Sequence, residues 1–198
     1  RLILGADCVP PVAQWTAMRL FMALSCIRAR CMRWRSCEGV TVCAWMCACR
    51  CLGRPVCSRT IQTAEVIAEE VRAAGVLDVL VRPDVSLRER GFGELDGTST
   101  ANYERVWAHD ARSCEHTEFG VEAVLSVLQR ARQCVREALA DAPRGAMVLV
   151  VAHGDVLQIT QTWIDGVAPT SHRSLPHWEP GEWRAWTVPP CARAPNEV

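Results

Sequence analysis

The sequence predicts an α/β fold with a mostly parallel central sheet covered by helices on both faces. Three observations carry this. "AMVLVVA" (Ala146–Ala152) is a continuous apolar run, as expected of a central strand buried on both faces. "GVEAVLSVLQRARQCVREALADA" (Gly120–Ala142) repeats Val121, Val124, Leu125, Leu128, Val135 and Leu139 in the pattern of a long amphipathic helix. "TIQTAEVIAEEVRAAG" (Thr60–Gly75) sets Ile61, Ala64, Ile67, Ala68 and Val71 on one helical face.

The remaining elements follow in order. Ser58 is the N-cap of that first helix and Gly75 its stop. "VLDVLV" (Val76–Val81) is a short strand candidate. "SLRERGFGELDG" (Ser86–Gly97) carries three glycines and reads as a loop. "DVLQITQTWI" (Asp155–Ile164) begins a helix directly after the apolar run. "GEWRAWTV" (Gly181–Val188) alternates and reads as a late edge strand. The chain has 198 residues, a length that suits one domain with a sizeable core. It begins at Arg1, as a fragment or a processed product would.

Formal net charge is zero, with 22 basic and 22 acidic residues, so nothing global points to nucleic acid or a membrane surface. Every basic residue is arginine, which suggests a GC-rich coding bias more than a function. The cysteines are uneven: nine of twelve lie between Cys8 and Cys57. Residues 5–57 hold four of the five methionines, two acidic residues (Asp7 and Glu38) and no histidine. Cys43, Cys47, Cys49 and Cys51 lack the paired spacing of ordinary zinc sites. A disulfide framework would require a secreted protein. "MRLFMALSCIRA" (Met18–Ala29) imitates a signal peptide, but it is internal and too short to span a bilayer. The simplest reading is that the segment carries no selected structural pattern. The chain therefore divides into an aberrant, irregular Cys/Arg-rich segment, 1–57, and an α/β domain, 58–198.

"AHG" (Ala152–Gly154) falls at a strand-to-helix junction, where open α/β sheets bind ligands. The helix N-terminus offers free N–H groups and partial positive charge, which suits an anion. Gly154 lets backbone approach a ligand closely. Alone, His153 is equally readable as a hydrogen-bonded core histidine.

It is not alone. "SRTIQTAEVIAEE" (Ser58–Glu70), "LRERGFGELDG" (Leu87–Gly97) and "VLVVAHGDVL" (Val148–Leu157) occur in this order. Together they resemble the histidine phosphatase superfamily, the phosphoglycerate-mutase-like enzymes, over residues 58 to about 188. Each motif alone is weak; three in register are strong. The resemblance implies a three-layer sandwich with a mostly parallel central sheet. It implies a cytoplasmic phosphoric monoester hydrolase acting through a phosphohistidine on a small phosphorylated molecule. No cofactor, metal, nucleic acid or membrane partner is implied, and the oligomeric state is left open.

Carried over by position, Arg59 is the second phosphate-binding arginine, its planar fork able to grip two oxygens. Glu89 is the proton donor, a role that calls for a raised pKa. Arg90 touches the non-transferred part of the substrate. His153 is the second histidine of the phosphate pocket, beside Gly154. Glu94, Asp96 and Asp155 read as solvated or capping.

The chain departs from the family at its nucleophile. The family places it in Arg-His-Gly directly after the first strand, and this motif is absent. With "RLIL" (Arg1–Leu4) taken as that strand, the motif falls on Gly5, Ala6 and Asp7, and no histidine precedes His109. The gap from Ala6 to Arg59, 53 residues, nevertheless matches the family's spacing. A segment that keeps its length but loses its pattern reads as translated in a shifted frame, or as part of a decayed gene. The expectation is a phosphatase impaired as written. The alternatives are a non-catalytic phosphate-binding or interaction protein, a mutase-type phosphotransferase, and a cysteine-rich metal module fused to a remnant.

Overall fold

A computed structural model describes residues 18–24, 44–49, 58–73, 79–142 and 146–188. Its strands are β1 (Met18–Leu24), β2 (Ala44–Cys49), β3 (Val79–Asp84), β4 (Met147–Ala152) and β5 (Trp183–Val188). Its helices are α1 (Ser58–Ala73), α2 (Tyr103–Asp110), α3 (Val124–Asp141) and α4 (Gly154–Asp165). The five strands form one sheet in the order β3-β2-β4-β1-β5. Pairing is parallel throughout except at β5, which runs antiparallel to β1 along the edge.

Alternation along β4 divides the core. Leu149 and Val151 face α1, where they pack with Ala64, Ile67, Ala68 and Val71. Val148, Val150 and Ala152 face α3 and α4, packing with Val127, Ala131, Val135 and Val156. The unbroken apolar run of β4 is thus explained by cover on both of its faces. A third, smaller cluster joins Phe92 and Leu95 of the loop after β3 to Val106 and Val121.

The N-terminal segment departs from its sequence reading as irregular. Two of its stretches are strands of the sheet, and one of them, "MRLFMAL", is the stretch that imitates a signal peptide. β1 is hydrogen-bonded on both edges, to β4 and β5, and β2 likewise lies between β3 and β4. Inner strands of a covered parallel sheet need no polar alternation, so periodicity is a poor detector of them. β1, on one side of β4, ends at Leu24, opposite Ala152. "RLIL" with Gly5–Asp7, the stop at Gly75, and Cys43 and Cys51 lie outside the described residues. The short helix α2 has no counterpart in the sequence reading.

Of the five described glycines with positive φ, two are left-handed for different reasons. Gly166 (φ +68°) closes α4, with Val167 N–H donating back to the Thr162 carbonyl, and a Cβ there would meet open space. Gly93 (φ +55°) lies against the backbone of Phe119 and Gly120, where a Cβ would collide. Gly166→Ala is expected to cost about 1 kcal/mol in urea denaturation. Gly93→Ala is expected to cost at least about 2 kcal/mol, because strain and collision add there.

Candidate active site

Three elements deliver the site to the carboxyl edge of the parallel strands. β4 ends at Ala152, and His153 takes extended backbone (φ −87°, ψ 155°) as the residue preceding α4. Its side chain does not cap the helix, so the first N–H groups of α4, beginning at Gly154, remain available to an anion. α1 starts at Ser58 and carries Arg59 in its first turn, exposed at the surface. The loop after β3 carries Glu89.

Glu89 and His153 meet: Glu89 Oε1 lies 3.8 Å from His153 Nδ1. Arg59 is close enough that its charge acts on both. His153 is buried, and its Nε2 has no hydrogen-bond partner among the described residues. A buried polar atom of this kind marks a place that a ligand or water completes. Burial, aided by Arg59 and Arg130, lowers the His153 pKa to about 4, so its ring is neutral at pH 7. Desolvation raises the Glu89 pKa; Arg59 opposes this, and Asp155 and Asp96 add to it. A neutral donor ring, a guanidinium and a carboxyl biased toward its protonated form can hold a phosphoryl group and protonate a leaving oxygen.

Arg90 is not part of this cluster. Its side chain is fully buried, and its donors are taken inside the protein. Nη1 and Nη2 each reach an Asp110 oxygen at 2.8 Å, Nε donates to the Glu122 carbonyl at 2.8 Å, and Nη1 also lies 3.4 Å from Asp155. The expected contact with substrate gives way to an internal ion pair, because Asp110 of α2 offers a bidentate partner in a dry environment. Burial pushes the Asp110 carboxyl up, but its bonds to Arg90 and His116 outweigh this and hold it below the usual range. Asp155 therefore pairs inward, and Asp96 accepts the Phe92 N–H at 3.1 Å; Glu94 is exposed.

A second group of residues absent from the sequence reading fixes the Glu89 loop from the other side. Arg130 of α3 donates to the carbonyls of Ser86 and Arg88 and forms a two-point contact with Glu122. Glu122 also binds Arg88. No local signal identifies these partners, which lie 8 to 44 residues apart in sequence. Among the described residues, no group of three or more His, Cys, Asp or Glu side chains is arranged to hold a metal ion. No described helix is long and apolar enough to cross a membrane.

The histidine phosphatase superfamily (branch 1) matches residues 56–190. A 2,3-bisphosphoglycerate-dependent phosphoglycerate mutase of Methylobacterium sp. (strain 4-46) is 30% identical over 127 residues, 61% of this chain and 60% of that protein. The match thus spans less than two thirds of that relative's length. Among solved structures, mycobacterial hydrolase 2 aligns with a TM-score of 0.62 at 17% identity, covering 85% of this chain and 81% of that one. A mycobacterial glucosyl-3-phosphoglycerate phosphatase aligns with a TM-score of 0.60 at 17% identity, covering 84% and 88%. At that identity the structural likeness speaks for the fold.

Two stability measurements test the site's electrostatics. The unfolded chain protonates His153 near its ordinary pKa of 6.5, whereas the folded chain resists until about pH 4. Stability from this residue is complete above pH 6.5 and is lost as pH falls toward 4, by about 3 kcal/mol in all. Urea denaturation at pH 7 and pH 5 is expected to show a smaller pH difference in His153→Gln than in the parent chain. Arg90→Met leaves Asp110 buried and uncompensated, and is expected to cost about 3–5 kcal/mol. Adding Asp110→Leu is expected to recover most of that loss in the same assay.

Proposed function

Because the chain belongs to the histidine phosphatase superfamily, we propose that Arg59, Glu89, His153 and the Gly154 amide form its site for a small phosphorylated molecule or phosphate. The observation that carries this reading is the buried, unpartnered Nε2 of His153, at a helix N-terminus beside Arg59 and 3.8 Å from Glu89. Arg59 holds phosphoryl oxygens by its fork, and the His153 ring with the α4 amides supplies further donors. Glu89 donates the proton to the leaving oxygen. A solved relative in the fold, the mycobacterial phosphatase, has been captured with inorganic phosphate.

The reaction class is phosphoric monoester hydrolysis, with mutase chemistry the second reading. Arg90 bears on this choice. Its inward pairing with Asp110 removes a cation that an acidic phosphate ester would use, which favours a phosphatase. The chain carries no Arg-His-Gly motif, so it is a phosphate-binding member of the family with impaired turnover.

Titration of His153 by NMR tests binding without turnover. Phosphate or vanadate is expected to raise its midpoint from about 4, because a bound anion compensates the imidazolium. Arg59→Ala is expected to weaken phosphate binding at least tenfold. Incubation with a small aryl phosphate, with acid-quenched detection of phosphoprotein, is expected to give little product and no phosphohistidine. Turnover matching an intact relative and abolished in His153→Ala overturns the impairment. A His153 titration indifferent to phosphate and vanadate overturns the site itself.

A further inference from the structure

We infer that Arg90 is a positioning residue: its buried guanidinium is the strut that holds the Glu89 carboxyl at its working distance from His153. Arg90 is next to Glu89 in the chain, and its side chain points the opposite way, into the protein. One end of the strut is Asp110, on α2, gripped through two bonds of 2.8 Å. The other is Asp155, in the first turn of α4 and two residues after His153, at 3.4 Å. A third bond, from Nε to the Glu122 carbonyl, fixes the plane of the guanidinium.

The anchors are themselves held. Asp110 receives His116 Nε2 at 2.6 Å, and His172 Nε2, fully buried, lies 3.7 Å from both Asp110 and Asp155. Arg90 therefore spans the short route through the protein from the Glu89 loop to the α4 terminus that carries His153. An arginine suits this place because one planar group reaches both carboxylates and a carbonyl at fixed angles; a lysine's single ammonium cannot. The inference rests on the reading of Glu89 as the proton donor.

The test uses the full chain and separates position from charge. Titration of Glu89 responds to burial and to the charges of Arg59, Asp155 and Asp96, and Asp155 is a partner of Arg90. Freeing Asp155 from Arg90 raises the Glu89 midpoint by charge alone, so a fall on altering the pair reports movement of the carboxyl toward water. The variants are Arg90→Met/Asp110→Leu, which removes both buried charges and is checked for a folded state by near-UV circular dichroism, and Arg90→Lys. Glu89 is followed by carbon-13 NMR, assigned with Glu89→Gln. In the parent chain Glu89 is expected to titrate above ordinary glutamate. In the double variant its midpoint is expected to fall toward the ordinary range, with Arg90→Lys between the two. An unchanged Glu89 midpoint in the folded double variant overturns the proposal. Leaving-group dependence is the second readout. An alkyl phosphate needs the acid more than an aryl phosphate does, so the alkyl-to-aryl rate ratio is expected to drop at least tenfold in the double variant. The same substitutions in a Glu89→Gln background are expected to leave that ratio where Glu89→Gln alone puts it; a further drop there counts against positioning. If turnover of both esters is too low to measure, as the missing Arg-His-Gly motif leads one to expect, the Glu89 titration alone decides the strut.

Discussion

One buried guanidinium organises the functional half of this protein. Arg90 joins three segments that are distant in sequence: the loop after β3, the end of α2 and the first turn of α4. A charge with no exposed surface needs partners inside the protein, and here Asp110, Asp155 and the Glu122 carbonyl engage all three nitrogens of the guanidinium. Because the pairing is bidentate, it fixes angle as well as distance. The loop can then present Glu89 outward from the residue next door.

The same loop is gripped from α3 by a second, more exposed assembly. Arg130 binds Glu122 and the carbonyls of Ser86 and Arg88, so backbone acceptors that a loop would otherwise leave to water are satisfied by a side chain. Together the two arginines replace the regular hydrogen bonding that Ser86–Phe92 lacks. Arg90 and Arg130 hold backbone and carboxylates in place, whereas Arg59 is exposed on α1.

Much of this was legible in the sequence, and its limits have physical causes. The strand β4 announced itself because burial on both faces demands an unbroken apolar run, and His153 stood out as the polar residue that ends it. α1 and α3 showed their faces because each packs one side only. β1 and β2 went unread: short inner strands show neither alternation nor helical spacing, and their biased composition masked the rest. α2 is eight residues long, with only Val106 and Asp110 buried, too little for a periodic signal. Arg90 was misread for a different reason. A motif position conveys chemistry but not direction, and its partner Asp110 lies twenty residues away with no local mark.

The balance of charge around His153 explains why the site suits an anion. Glu122 answers Arg88 and Arg130, and Asp110 and Asp155 answer Arg90. Burial keeps the His153 ring neutral, and the raised pKa of Glu89 biases that carboxyl toward its uncharged form. Arg59, exposed on α1, and the positive end of α4 add positive potential beside the ring. An entering phosphoryl group meets a positive, partly desolvated field in which Coulomb interactions are stronger than in water. Its arrival in turn stabilises a charged His153, since the anion offsets the cost that burial imposes. On the proposed reading, Arg59, His153 and the α4 amides serve affinity for phosphate, whereas turnover needs in addition a nucleophile behind the phosphorus.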